Sequence, residues 1–147
     1  MKKVMKIIGI VVLVAVILII LLLKILGNMP SVPGDYQSKI ETGGEIEAKY
    51  MSNGNYAVSV YEETVWQGFS KYTIYYPTEL ESTNKKYPVI VISNGSGTPL
   101  SKFPAVPKHF ASWGFIVIGT EEQSDWNGFS SEMCVRHLTR LNENQTI

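Results

Sequence analysis

At 147 residues, the chain has room for at most one ordinary domain plus attachments. A hydrophobic content of 45% argues against a disordered chain. The 13 basic and 13 acidic residues balance formally, but Lys2, Lys3, Lys6 and Lys24 all sit in or beside the first apolar segment. That leaves 9 basic against 13 acidic residues from Asn28 onward, a mildly acidic domain with no electrostatic footprint for nucleic acid.

The first element is the uncharged run IIGIVVLVAVILIILLL, residues 7–23. As a helix it reaches about 25 Å, slightly short of the ~30 Å hydrocarbon layer. Lys24 can snorkel, so Ile25 and Leu26 complete the span. A cleaved signal peptide is the alternative, but its apolar run is normally shorter and followed by a small-x-small pair. Here Lys24-Ile25-Leu26-Gly27-Asn28 follows, and no Cys lies just after it for a lipoprotein anchor. Residues 1–26 are therefore expected to be an uncleaved, single-pass membrane anchor. Three Lys precede the span and one follows it, which places the N-terminus inside and the remainder outside the cytoplasm. Cys134 is alone, so no internal disulfide is expected.

Residues 27–44, rich in Gly, Pro and Ser, read as a juxtamembrane linker. Residues 45–147 form the expected domain. Within it, EIEAKYM and NYAVSVY read as two strands flanking Asn53-Gly54, a strong hairpin signal because both turn positions need positive φ. KYTIYYP, residues 71–77, alternates like a strand with one buried face. YPVIVIS, residues 87–93, is instead apolar on both faces, as expected of a strand inside a covered sheet. In KFPAVPKHFASWGF, Val106, Phe110 and Trp113 share one helical face. Pro107 falls in the first turn and Gly114 at the end. Phe115 to Gly119 is another strand. SSEMCVRHLTRLNEN is a helix with a Ser N-cap candidate and with Cys134, Leu138 and Leu141 on one face. The fold class is thus α/β: antiparallel strands, then a βαβα run that implies a parallel sheet.

The Gly-rich loop VIVISNGSGT, residues 89–98, invites a catalytic reading. Ser96 is not a nucleophile on an elbow, because G-x-S-x-G requires glycine where Asn94 and Thr98 stand. The dinucleotide fingerprint fails at Leu100, and the P-loop pattern fails too. No cofactor is implied. Backbone N–H groups around Gly95 and Gly97 suit an anion, although glycine-rich turns after strands are also common without function. Glu121, Glu122 and Asp125 cluster after a strand, where sites tend to be built, but with no His or Cys nearby no metal site is expected. His109 and His137 sit off their helices' most apolar faces, which suggests solvated or supporting roles. Trp66, Trp113 and Trp126 could line an apolar pocket, with core packing favoured for Trp113. The glycosylation sequons at Asn94 and Asn144 read as chance matches.

YPVIVISNGSGTPLSKFPAVPKHFASWGFIVIGTEE resembles the early part of an α/β-hydrolase, in the cutinase, polyester-hydrolase and dienelactone-hydrolase-like group. Ala111-Ser112-Trp113-Gly114-Phe115 matches the end of that family's first helix, and YTIYYP its preceding strand. The likeness covers about residues 72–144. It implies that the loop after the strand at Val89 is the first half of an oxyanion hole, with the Ser96 N–H as donor and Gly97 beside it. Asn94 replaces the more common His or Pro before the glycine, and Asn94 and Trp126 would border the substrate pocket. Full-length relatives would hydrolyse carboxylic esters or similar acyl bonds through a Ser nucleophile. That nucleophile, its acid and its His come after this region in the family. The 147 residues contain no G-x-S-x-G, so the resemblance implies a chain cut short before it, inactive alone. It also implies an exposed edge on the strand at Val89. The rival reading is a non-catalytic anchored module that binds a ligand on the same half-fold.

Overall fold

The computed structural model describes residues 2–64 and 71–144. Helix α1, Lys2–Asn28, is long and apolar enough to cross a membrane, and none of its residues is buried. The remainder is a mixed α/β unit. Helix α2 spans Glu45–Met51, strand β1 Val58–Glu63, β2 Tyr72–Pro77 and β3 Val89–Val91; α3 spans Ala105–Ser112, β4 Ile116–Thr120 and α4 Phe129–Glu143. The four strands form one sheet in the order β1-β2-β4-β3. β2 pairs antiparallel with β1 and β4, whereas β3 pairs parallel with β4. The strand, helix, strand, helix order read from the sequence is therefore present, with its parallel pair.

Several local expectations are corrected. EIEAKYM is a helix, not a strand, and Asn53-Gly54 is not a hairpin turn. Alternation in this short run hid Glu45 and Glu47 in a first turn, where carboxylates favour a helix N-terminus. Glu47 also reaches back to accept the Gly43 N–H at 2.6 Å. Gly54 is needed for close approach instead. Its N–H donates to Ser112 Oγ at 2.8 Å, and a Cβ there would stand 2.1 Å from the Ser112 carbonyl oxygen.

β2 does not alternate in burial: Tyr72, Thr73, Ile74, Tyr76 and Pro77 are all buried, because the strand lies between two others with helices packed on it. β3 is an edge strand, as the exposed edge expected at Val89 anticipates, but it is not covered on both faces: Val89 is 50% exposed. Helix α3 buries Ala105, Pro107, Ala111 and Ser112 rather than the Val106, Phe110 and Trp113 stripe. Small side chains let it approach the sheet closely. Trp113 instead lies 5.6 Å from the Tyr50 ring of α2 and donates to the Ser52 carbonyl at 3.0 Å.

Gly114, with φ of 92°, ends α3 as expected. The Phe115 N–H bonds the Phe110 carbonyl and the Gly114 N–H the Ala111 carbonyl, the paired bonds of a Schellman cap. On α4, Cys134 and Leu141 are buried and Leu138 packs against them, together with Tyr72, Ile74, Tyr76 and Ile118. Gly119, one residue beyond Ile118, meets Leu100 on the opposite face.

Candidate functional site

The loops that follow β3 and β4 lie side by side at one end of the sheet. β3 continues one bond further, through Ile92 N–H to the Ile118 carbonyl at 2.8 Å. Then the chain must turn, and Asn94 fixes how. Its side chain is buried, and Nδ2 donates to the carbonyls of Thr120 and Glu122, both at 2.9 Å, and to Thr120 Oγ1 at 3.2 Å. Its own carbonyl accepts the Asp125 N–H at 2.9 Å. Asn94 thus clamps the two loops together and does not face an open pocket. Asn94 Oδ1 is buried with no hydrogen-bond partner among the described residues.

Gly95 to Thr98 form a tight turn closed by the Thr98 N–H on the Gly95 carbonyl at 3.1 Å. Gly97 supplies the positive φ, 70°, that its third position requires. The Gly97 N–H is committed to the Gln123 carbonyl at 2.7 Å. Ser96, at the tip, is exposed, and no acceptor among the described residues takes its N–H. Of the two donors expected here, only that of Ser96 is available to a ligand.

Asp125 is the residue whose role the sequence concealed. It is 4% exposed and lies five residues before Ser130. Its carboxylate accepts the Ser130 N–H at 2.7 Å and the Ser131 N–H at 3.0 Å, the Ser131 hydroxyl, and the Ser93 hydroxyl at 3.0 Å. The expected Ser cap of α4 is therefore corrected: Gly128 occupies the cap position without a side chain, and the Asp125 carboxylate reaches the orphan N–H groups. Burial would raise its pKa. The hydrogen bonds from Ser131, Ser130 and Ser93 outweigh burial and hold the carboxyl below its ordinary range. Glu121 has a separate task, accepting the Ser101 N–H at 3.1 Å and the Ser101 hydroxyl. Among the described residues no group of His, Cys, Asp and Glu is placed to hold a metal ion.

Trp126 is 94% exposed in the turn after Asp125, apart from the half-buried Trp113. Trp66 lies outside the described residues, as does the tail of the Asn144 sequon. His109 is partly buried beside Phe110 and Trp113.

His137 is not solvated: it is 5% exposed and stacks on Tyr72, with ring centroids 4.3 Å apart and planes 8° from parallel. Its Nε2 lies 3.4 Å from the Glu63 carboxylate, which also meets Arg140 and the Tyr61 hydroxyl, each at 3.0 Å. Burial pushes the His137 pKa down, against the pull of Glu63, which favours the neutral ring. This cluster joins β1 to α4. His137 and Arg140 lie three apart on one helix, a spacing that signals proximity, but nothing in the sequence pairs them with Glu63. No family model matches the chain, and no curated protein matches it.

Proposed function

We propose that these residues form the anchored front half of an α/β-hydrolase-type sheet, whose part in catalysis is the Ser96 N–H as one donor of an oxyanion hole. The parallel β3–β4 pair carries this reading. It puts the Ser96 turn just beyond the C-terminal end of β3, where ligands bind in open α/β sheets. No strand among the described residues pairs with the other edge of β3, which borders a mostly apolar groove lined by Leu80, Val89, Val91 and Leu138, with Lys85 and Lys86 at its side. In the resembled family, that edge receives the strand that ends in the nucleophile. The substrate class is a carboxylic ester or related acyl compound. The anchor is α1, spanning once with the domain outside the cytoplasm. The described residues give Ser96 no base: its turn contacts the Gln123 carbonyl, and the two histidines pack elsewhere. The hydroxyl is incidental.

A non-catalytic anchored binding module is favoured by one observation, the absence of any G-x-S-x-G within the 147 residues. Reading the encoding DNA beyond codon 147 separates the two. An in-frame G-x-S-x-G followed by Asp and then His codons is the expected result. Absence of such codons in every frame would contradict the hydrolase reading and leave the module.

A further inference from the structure

The segment that leaves α1 does not hang free. The Lys102 ammonium donates to the Gly27 carbonyl and, at 3.0 Å, to the Met29 carbonyl. The Lys102 carbonyl accepts the N–H groups of Ser31 and Val32 at 2.6 and 2.9 Å. A cation on the last carbonyls of a helix satisfies orphan acceptors and suits the helix dipole. Further along, Gln37 Nε2 donates to the Ala105 carbonyl at 3.2 Å. The exit of α1 is therefore stapled to the very loop that carries Ser96.

Dimensions make this consequential. A ~30 Å hydrocarbon layer takes about 20 helical residues at ~1.5 Å each. Counted from Ile7, the first residue of the uncharged run, such a span ends near Leu26. Gly27, Met29 and the Lys102 ammonium then lie at headgroup depth. Ser96 is six residues from Lys102, so it is within about 21 Å even along a fully extended chain. Here the path is shortened by the turn at Gly95–Thr98 and the 3-10 helix at Leu100–Lys102. The neighbouring loop, bonded to this one through Gly97 and Asn94, adds Trp126, an exposed amphipathic ring of the kind enriched at bilayer interfaces. The opposite end of the sheet is reached at Pro77 and continues into Thr78–Ser82.

We infer that the end of the sheet carrying Ser96 is held against the bilayer surface, so that the acyl carbonyl it meets belongs to a membrane lipid ester. This rests on α1 spanning the membrane and sharpens the substrate class of the same site.

The test uses the full chain in phosphatidylcholine vesicles whose acyl chains are brominated near the headgroup. A nitrobenzoxadiazole fluorophore is attached through Ser96→Cys or, as the far-end reference, Ser82→Cys. Both positions are exposed, and the Cys134 thiol, buried and with its pKa pushed up to about 12, stays unlabelled. The expected result is several-fold stronger quenching at position 96 than at position 82. A flexible Gly/Ser insertion after Asn28 should reduce quenching at 96 to the level at 82. Equal, weak quenching at both positions in carbonate-resistant vesicles would overturn the inference while leaving the anchor intact. Release of the chain by carbonate would overturn the anchor and the inference together.

Discussion

Two boundaries of the same parallel strand pair differ sharply. At the C-terminal end, the two loops are tied together by polar groups: Asn94 on Thr120 and Glu122, Gly97 on Gln123, Asp125 on Ser93, Ser130 and Ser131. Along the outer edge of β3, no strand among the described residues takes up the backbone groups, and Val89 is half exposed beside an apolar groove. The first boundary is cross-linked by these bonds and presents the exposed Ser96 N–H, which no acceptor among the described residues takes. Along the second, the Val89–Val91 run itself carries no charge or proline, the kind of edge that recruits another chain. The contrast separates a bonded end of the strand pair from an edge that no described strand covers.

The largest effect should come from the edge. Val89→Lys places a charge on the exposed side of β3, a device that blocks edge pairing. In detergent, the wild-type full chain is expected to elute as a broad, associated species on size-exclusion chromatography and the variant as a monomer. A monomeric wild type would show that β3 is already protected and would erase the contrast.

A smaller effect should come from the bonded end. Asp125→Ala removes the α4 cap and strands two N–H groups, costing about 2–4 kcal/mol, read as a lowered Tm. Its pH dependence follows from the lowered pKa of Asp125, whose ordinary value is 3.8. The stabilisation is fully present above that value and is lost as pH falls through the lower folded value. Asp125→Asn should flatten this acid limb. An unchanged limb would mean that the carboxylate is not what ties the loops together.

The smallest effect is at Ser96. Its exposed hydroxyl has no described partner, so Ser96→Ala should alter stability by less than about 0.5 kcal/mol. A larger loss of Tm would place the hydroxyl within the scaffold.

What could be read in the sequence follows from how local each signal is. The length and apolarity of α1, the Gly114 cap and the Cys134, Leu138 and Leu141 face are all set within a turn or two of chain, and each is present. EIEAKYM failed because seven residues satisfy period 2 and a helix start equally well. The Val106, Phe110 and Trp113 stripe is a real helical face, yet α3 seats its small residues on the sheet instead. Strand KYTIYYP shows alternation that its central position overrides. The remaining failures are non-local. Gly54 is fixed by Ser112, 58 residues away, and Asn94 by Thr120, 26 away. Asp125 looked like part of an acidic cluster because its partners lie on two other elements. At the candidate site, the Ser96 turn was legible from its glycines. The commitment of Gly97 to Gln123, and the stapling of Lys102 to the helix exit, were not.

The role given to Ser96 is tested most directly by p-nitrophenyl ester hydrolysis with the purified 147-residue chain, measured beside Ser96→Ala. No turnover above the uncatalysed rate is expected for either protein, because a donor N–H without a nucleophile has no acyl-enzyme to stabilise. Turnover by the wild type that Ser96→Ala abolishes would make the hydroxyl the nucleophile and contradict the backbone role.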